Sequence, residues 1–135
     1  MTGVRNLKID HIAIWARDLE GLRAYYEKYF NAKSGSKYVN AAKGFSSYFL
    51  SFDSGCRLEI MQADSVLNPE VEEGLNYFGL THFSISLGSK EDVDRLADSL
   101  IKDGFKLLDG PRHTGDGYYE AKFLDPEGNQ LEITI

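Results

Sequence analysis

Cysteine is all but missing. The single Cys56 in 135 residues has no partner for an intrachain disulfide. This excludes a disulfide-stapled scaffold and suits a reducing compartment. Its place at the start of an apolar run reads as that of a small structural residue. An excess of positive charge is missing too. The formal net charge is −6, with no basic stripe of the kind that phosphate backbones or anionic lipids demand, so neither nucleic acid nor a membrane is an expected partner. Long hydrophobic runs are absent, and the longest falls far short of the ~20 residues of a membrane helix. Residues 1–10 hold neither an apolar core nor a small-residue cleavage site, so no signal peptide is expected and the chain reads as cytoplasmic. No low-complexity tract occurs.

What is present is ordinary in amount and unusual in arrangement. Hydrophobic residues make up 42%, as in soluble globular proteins. The length suits a single domain, 1–135, able to bury roughly two-thirds of its surface. Within it the chain repeats. Placing His11 over His82, an offset of 71, sets Ile12 over Phe83 and Ile14 over Ile85. A helix-starting residue follows in each half, Asp18 and then Ser89, the latter with Asp92 in a capping-box position. Leu22, Tyr25, Tyr26, Tyr29 and Phe30 recur at helical spacing, and Val93, Leu96, Ala97, Leu100 and Ile101 repeat them at the same offset, marking one buried face per helix. Asn31 and Gly104 stand where left-handed residues close helices.

Strands follow each helix. Phe45 to Phe52 and Cys56 to Met61 flank a turn at Asp53-Ser54-Gly55. Tyr118 to Leu124 and Gln130 to Ile135 flank Asp125-Pro126-Glu127-Gly128, a type I turn signature. The longer second turn makes the offset 73 between Glu59 and Glu132. Each half reads βαβββ, with one weak strand around Tyr38 or Lys106 to Leu108. The modules, about 7–61 and 80–135, are joined by an exposed connector, 62–79, under which Tyr77 and Phe78 are expected to pack.

Side chains alternate faces along a strand. His11, Ala13 and Trp15 therefore oppose Ile12 and Ile14. His82, Ser84 and Ser86 oppose Phe83, Ile85 and Leu87. In the last strands Glu59 alternates with Leu58 and Ile60, and Glu132 with Leu131 and Ile133. Apolar faces cover the helices, so both histidines and both glutamates point the other way, beside small residues. Two carboxylates sharing a concavity repel unless protonated or bridged by a cation. Two imidazoles and two carboxylates make a mixed N/O site suited to one divalent metal: Zn, Ni, Co, Mn or Fe(II).

These features resemble the vicinal oxygen chelate superfamily, whose best-known type is glyoxalase I. The resemblance runs from Leu7 to Ile135 and rests on DHIAIWARDLEGLRAYYEKYF, RLEIM, THFSIS and FLDPEGNQLEI. It implies an α+β fold of two βαβββ modules, their curled mixed sheets surrounding a metal cleft. By position His11, Glu59, His82 and Glu132 match the four glyoxalase I ligands, with Ni or Zn the leading metals. The implied function is a metal-dependent lyase or isomerase that abstracts a proton beside a carbonyl and passes through an ene-diolate. Glu132 is the implied base, with Glu59 serving the opposite face. Ring-cleaving dioxygenases and fosfomycin-modifying thiol transferases typically use two His and one Glu, and methylmalonyl-CoA epimerases commonly carry Gln at the position of Glu59. Glutathione-using glyoxalases tend to have Arg at the position of Trp15 and Asn at that of Ala63, so the small-molecule substrate is expected to be another thiol adduct or a small oxo compound. The resemblance also implies a two-fold homodimer with sites shared between chains. A non-catalytic module binding a small molecule, such as an antibiotic, is the reading from another class. Outside the repeat, Arg112 in the loop GPRHTGDGYYE is a candidate to hold an anionic substrate end, with a plain solvated loop as the alternative. Trp15 reads as a cleft wall or as core. His113 has no counterpart in the first half and is not counted as a ligand.

Overall fold

A computed structural model describes Gly3 and residues 5–135. Part of the reading of residues 1–10 therefore falls on Met1, Thr2 and Val4, outside the described residues. The chain forms two compact units, Met1–Asn68 and Pro69–Ile135. Among the described residues no helix is long and apolar enough to cross a membrane.

The first unit opens with β1 (His11–Trp15) and α1 (Leu19–Phe30), then two short strands, β2 (Lys33–Ser34) and β3 (Tyr38–Asn40), and the hairpin of β4 (Phe45–Ser51) with β5 (Arg57–Ala63). Its sheet runs β1-β5-β4-β2, with β3 also on β4. The β1–β5 pair is parallel and the others antiparallel. The second unit holds β6 (His82–Ser86), α2 (Lys90–Lys102), β7 (Leu107–His113), β8 (Tyr119–Leu124) and β9 (Gln130–Thr134), in the order β6-β9-β8-β7 with only β6–β9 parallel. This is the doubled βαβββ plan expected from the sequence.

The helices begin and end as their residues dictate. Asp18 accepts the Gly21 N–H at 3.0 Å, and Ser89 accepts that of Asp92 at 3.1 Å. Asn31 takes the left-handed conformation at the end of α1. Past α2, Gly104 (φ +90°) donates to Ile101 and Phe105 to Leu100, so the last carbonyls are satisfied by a left-handed turn that glycine adopts without strain. Leu22, Tyr26, Leu50, Ile60 and their neighbours fill the first core, and Val93, Leu100, Phe123, Leu131 and Ile133 the second. Each such side chain contributes roughly 1.5–3 kcal/mol. Tyrosines tie each helix to its sheet. Tyr48 donates to Glu20 at 2.9 Å and receives Arg23, and Tyr119 donates to Asp94.

Five expectations need correction. The weak strand after the first helix is two pieces separated by residues 35–37, while its counterpart β7 is a full strand reaching His113. Much of the supposed loop from Gly110 is therefore sheet. Gly110 (φ +79°) allows this, because a Cβ there would sit 2.4 Å from the Glu120 carbonyl oxygen. The return strand β5 extends through Gln62 and Ala63, and Gln62 is no connector residue. Its amide donates to the Arg17 carbonyl at 3.0 Å and accepts from the Leu19 N–H at 3.4 Å, anchoring the start of α1. Ile101 is 48% exposed, because α2 is narrower in its contact and Val93, Ala97 and Leu100 already complete the stripe. Tyr77 and Phe78 are exposed and do not pack beneath the connector. Lastly, β4, β8 and β9 are each one residue shorter than expected, with Phe52, Tyr118 and Ile135 outside them, and Cys56 lies before β5.

The β8–β9 turn is held by a buried carboxylate. Asp125 accepts the Glu127 and Asn129 N–H groups at 2.9 and 3.0 Å and the Asn129 side-chain amide at 2.9 Å, and its own carbonyl closes the turn to Gly128. Replacing Asp125 by Ala strands these donors. The expected loss is about 2–3 kcal/mol, measured by denaturant unfolding. Asp53→Ala, in the first module's turn, is expected to stay within about 0.5 kcal/mol.

Candidate metal centre

Both parallel pairs share one register. Ala13 lies opposite Glu59 in β1–β5, and Ser84 opposite Glu132 in β6–β9. Each histidine starts its strand two residues earlier, on the same face as the glutamate. In both units the small residue leaves space over which imidazole and carboxylate approach. His11 Nε2 lies 3.7 Å from Glu59 Oε1, and His82 Nε2 lies 3.1 Å from Glu132 Oε2. The alternate faces carry the buried Leu58, Ile60, Leu131 and Ile133, as strand parity predicts.

The donor chemistry fits a divalent cation. Two ligands each about 2.1 Å from a metal, subtending 90–110°, lie about 3.0–3.4 Å apart, close to both observed separations. Asp10 accepts from His11 Nδ1 at 2.7 Å. A carboxylate only accepts, so Nδ1 carries a proton and Nε2 is the nitrogen turned toward Glu59. Each unit supplies two donors, and among the described residues no group of three or more His, Cys, Asp or Glu side chains that could hold a metal ion is gathered.

The surroundings of the pairs differ. Phe49 stands across from Glu59 in the β4–β5 register and meets the His11 ring edge-on at 5.1 Å, with the Arg57 guanidinium 4.3 Å from the Phe49 centroid. In the second unit Lys122 stands across from Glu132, its Nζ 4.0 Å from Oε2, and Glu120 hydrogen-bonds to Glu132 two residues along. Burial pushes the Glu120 carboxyl above the usual carboxylate range, with the Glu132 hydrogen bond and charge adding to it. Burial also holds His82 below the usual imidazole value, with the Lys122 charge adding to it and Glu120 opposing. Asp10 is lowered by its bond to His11 first and to Arg57 second.

Sequence reasoning assigned His11, Glu59, His82 and Glu132 to one metal site; the sheets bring His11 beside Glu59 and His82 beside Glu132. It missed Asp10, Arg57, Phe49, Glu120 and Lys122. The parity of β8 already puts Glu120 and Lys122 opposite Ala121 and Phe123, so that signal was readable once the hairpin register was known. Arg112 is held by Asp109 at 2.9 Å and is no free anion clamp. Trp15 is 46% exposed and edge-on to Phe45, which places it on the open His11 face rather than in the core. His113 leans on Tyr119 at 4.8 Å.

The family model described as Glyoxalase/Bleomycin resistance protein/Dioxygenase superfamily matches residues 8–133. Uncharacterized protein YqjT of Bacillus subtilis (strain 168) is 28% identical over 127 residues, spanning 91% of this chain and 94% of that protein. Metallothiol transferase FosB of Lysinibacillus sphaericus (strain C3-41) is 25% identical over 126 residues, spanning 93% and 79%. Among solved structures, a glyoxylase/bleomycin resistance protein/dioxygenase domain from Frankia sp. EAN1pec is similar with a TM-score of 0.79 at 19% identity, covering 97% of this chain and 98% of that one. A trypanothione-dependent glyoxalase I from Leishmania major gives 0.74 at 19%, covering 96% and 86%. These two structural likenesses concern the fold.

The raised Glu120 carboxyl gives a pH-dependent expectation. Between the ordinary value of 4.5 and its higher folded value, the folded chain keeps a proton that the unfolded chain releases. Above that window the ionised Glu120 destabilises the fold, and the cost disappears as pH falls through the window. Glu120→Gln should therefore raise the Tm of the metal-free protein at pH 7–8 and give no gain near pH 4. Thermal unfolding across that range checks it, and equal Tm values at pH 8 would refute the crowding of Glu120 against Glu132.

Proposed function

The chain belongs to the Glyoxalase/Bleomycin resistance protein/Dioxygenase superfamily, and from that premise we propose that it is a metal-dependent lyase or isomerase of the glyoxalase I type. Its substrate is a small oxo compound or a thiol adduct. The observation that carries this reading is the repeated pair, His11 with Glu59 and His82 with Glu132, at the same register of two sheets and at separations suited to a shared cation. A second glutamate distinguishes the set from the two-His, one-Glu sites of other members.

His11, Glu59, His82 and Glu132 would hold one divalent metal, Ni or Zn first, with Co, Mn or Fe also suited to N/O donors. When bound, the metal supplies Lewis-acid stabilisation of negative charge developing on substrate oxygens. The rest falls to the chain's own side chains. Glu132 takes the proton from the carbon beside the carbonyl and returns it to the neighbouring carbon. The Lys122 ammonium stands 4.0 Å from Glu132 across the β8–β9 pair. Glu59 serves the opposite face of the substrate. Trp15 and Phe49 offer apolar surface on the His11 side. Because each unit holds half the donors, the reading extends to a two-fold homodimer whose sites combine the first module of one chain with the second of the other. Trp15 and Ala63 offer no polar contact to a peptide thiol, so glutathione is not the preferred carrier.

Glu132→Gln keeps the shape and removes the basicity. Proton exchange at the carbon beside the carbonyl of a small oxo compound, followed by NMR with Ni or Zn, should fall about 10²–10⁴-fold while the fold is retained. Near-normal exchange would remove Glu132 from the role of base, and no exchange in the wild type would favour a binding module.

Site sharing is read by mixing a His11→Ala, Glu59→Ala chain with a His82→Ala, Glu132→Ala chain. Heterodimers of a shared-site protein regain one intact metal site of two. A protein whose sites lie within each chain regains none.

A further inference from the structure

The ligand pairs repeat, but what stands behind them does not. Asp10 precedes His11, and its Oδ2 takes the His11 Nδ1 proton at 2.7 Å and the Arg57 Nη2 at 2.8 Å. The Arg57 backbone N–H donates to the Asp10 carbonyl at 3.0 Å. Arg57 in turn lies over Phe49, whose ring abuts His11. The imidazole is thus gripped on its far nitrogen and along its edge by groups that grip one another. In the second module Thr81 stands in the place of Asp10, and Gln130 in that of Arg57. His82 Nδ1 is buried without a hydrogen-bond partner among the described residues.

We infer that Asp10, locked by Arg57, is the positioning residue of the metal site: it holds His11 with the proton on Nδ1 and Nε2 free to ligate, which makes His11–Glu59 the pre-set half and His82–Glu132 the adaptable half. The inference rests on the metal-site reading above and adds a division of labour between the halves. A carboxylate behind a ligating imidazole fixes its tautomer and ring plane and raises its donor strength, and removing such a group typically costs about 10–100-fold in metal affinity. Arg57 keeps Asp10 from turning toward solvent, where it would otherwise be free to rotate. His82 Nδ1 has no such partner among the described residues, and the ring is held only through Nε2 to Glu132 and by packing, so it can adjust when a cation binds.

The test uses the full chain and two readouts. Long-range ¹H–¹⁵N spectra of the metal-free protein, at a pH where the rings are neutral, report the tautomer of each histidine, and Zn competition against a chromophoric chelator reports affinity. In the wild type His11 should be an almost pure Nδ1–H tautomer. Asp10→Ala should mix the His11 tautomers and weaken Zn binding about 10–100-fold, with the His82 pattern unchanged. Asp10→Asn, which restores a neutral acceptor, should recover part of both, and Arg57→Met should loosen both to a smaller degree. Asp10 is exposed, so thermal unfolding should show each variant folded. If Asp10→Ala leaves the His11 tautomer pure and Zn affinity within about twofold of a Zn-binding wild type, the positioning role is overturned while the metal site stands. If the wild type binds no Zn, the metal site itself is overturned, and with it the role of Asp10 behind it.

Discussion

In each module the strand before the helix hydrogen-bonds in parallel to the module's last strand, and this pairing governs what the rest of the structure can do. It sets Ala13 against Glu59 and Ser84 against Glu132. A parallel pair needs a crossover, which α1 and α2 supply together with the intervening strands. The helix covers one face of the sheet, so the other face is left for polar side chains. A slip of one residue would turn every glutamate into the core and every leucine out of it. The burial of Leu58, Ile60, Leu131 and Ile133 therefore holds the His–Glu register in place, and the energy of packing becomes the precision of the site.

Duplication then makes a useful asymmetry possible. The helix-side faces stay alike in kind, with apolar stripes and tyrosine tethers. The open faces diverge. Phe49 and Ser47 in the first module occupy the register positions of Lys122 and Glu120 in the second. One half of the repeat is thus apolar around its glutamate, while the other surrounds Glu132 with a cation and a second carboxyl. Behind the histidines the divergence is reversed: the first module holds its ring by Asp10 and Arg57, and in the second the far nitrogen of His82 has no hydrogen-bond partner among the described residues.

Much of this was legible before any fold was known. The 71-residue offset is a repeat in the linear text, the helix starts at Asp18 and Ser89 and the parity of the last strands are carried by residues a few positions apart, and together they put each histidine on the same face as the glutamate of its own module. What was misread lay where local pattern is weak. Leu107–His113 contains Gly110 and Pro111, which discourage a strand assignment, yet pairing with β8 makes it one. Ile101 has the composition of a core residue, and only the rotation of α2 against its sheet leaves it outside. Gln62 looked like the start of a linker because an amide side chain announces nothing until Arg17 and Leu19 come within reach.

By itself the sequence determined the two-module plan, the face on which each histidine and glutamate lies, and the membership that the family match over residues 8–133 bears out. These follow from periodicity along one chain, which a linear text records. Tertiary structure alone decided the partners across strands: Asp10 and Arg57 behind His11, Phe49 beside it, Lys122 and Glu120 around Glu132, Asp109 around Arg112. Such contacts depend on register and on side-chain reach between segments up to about fifty positions apart, and no spacing rule within a single strand encodes them.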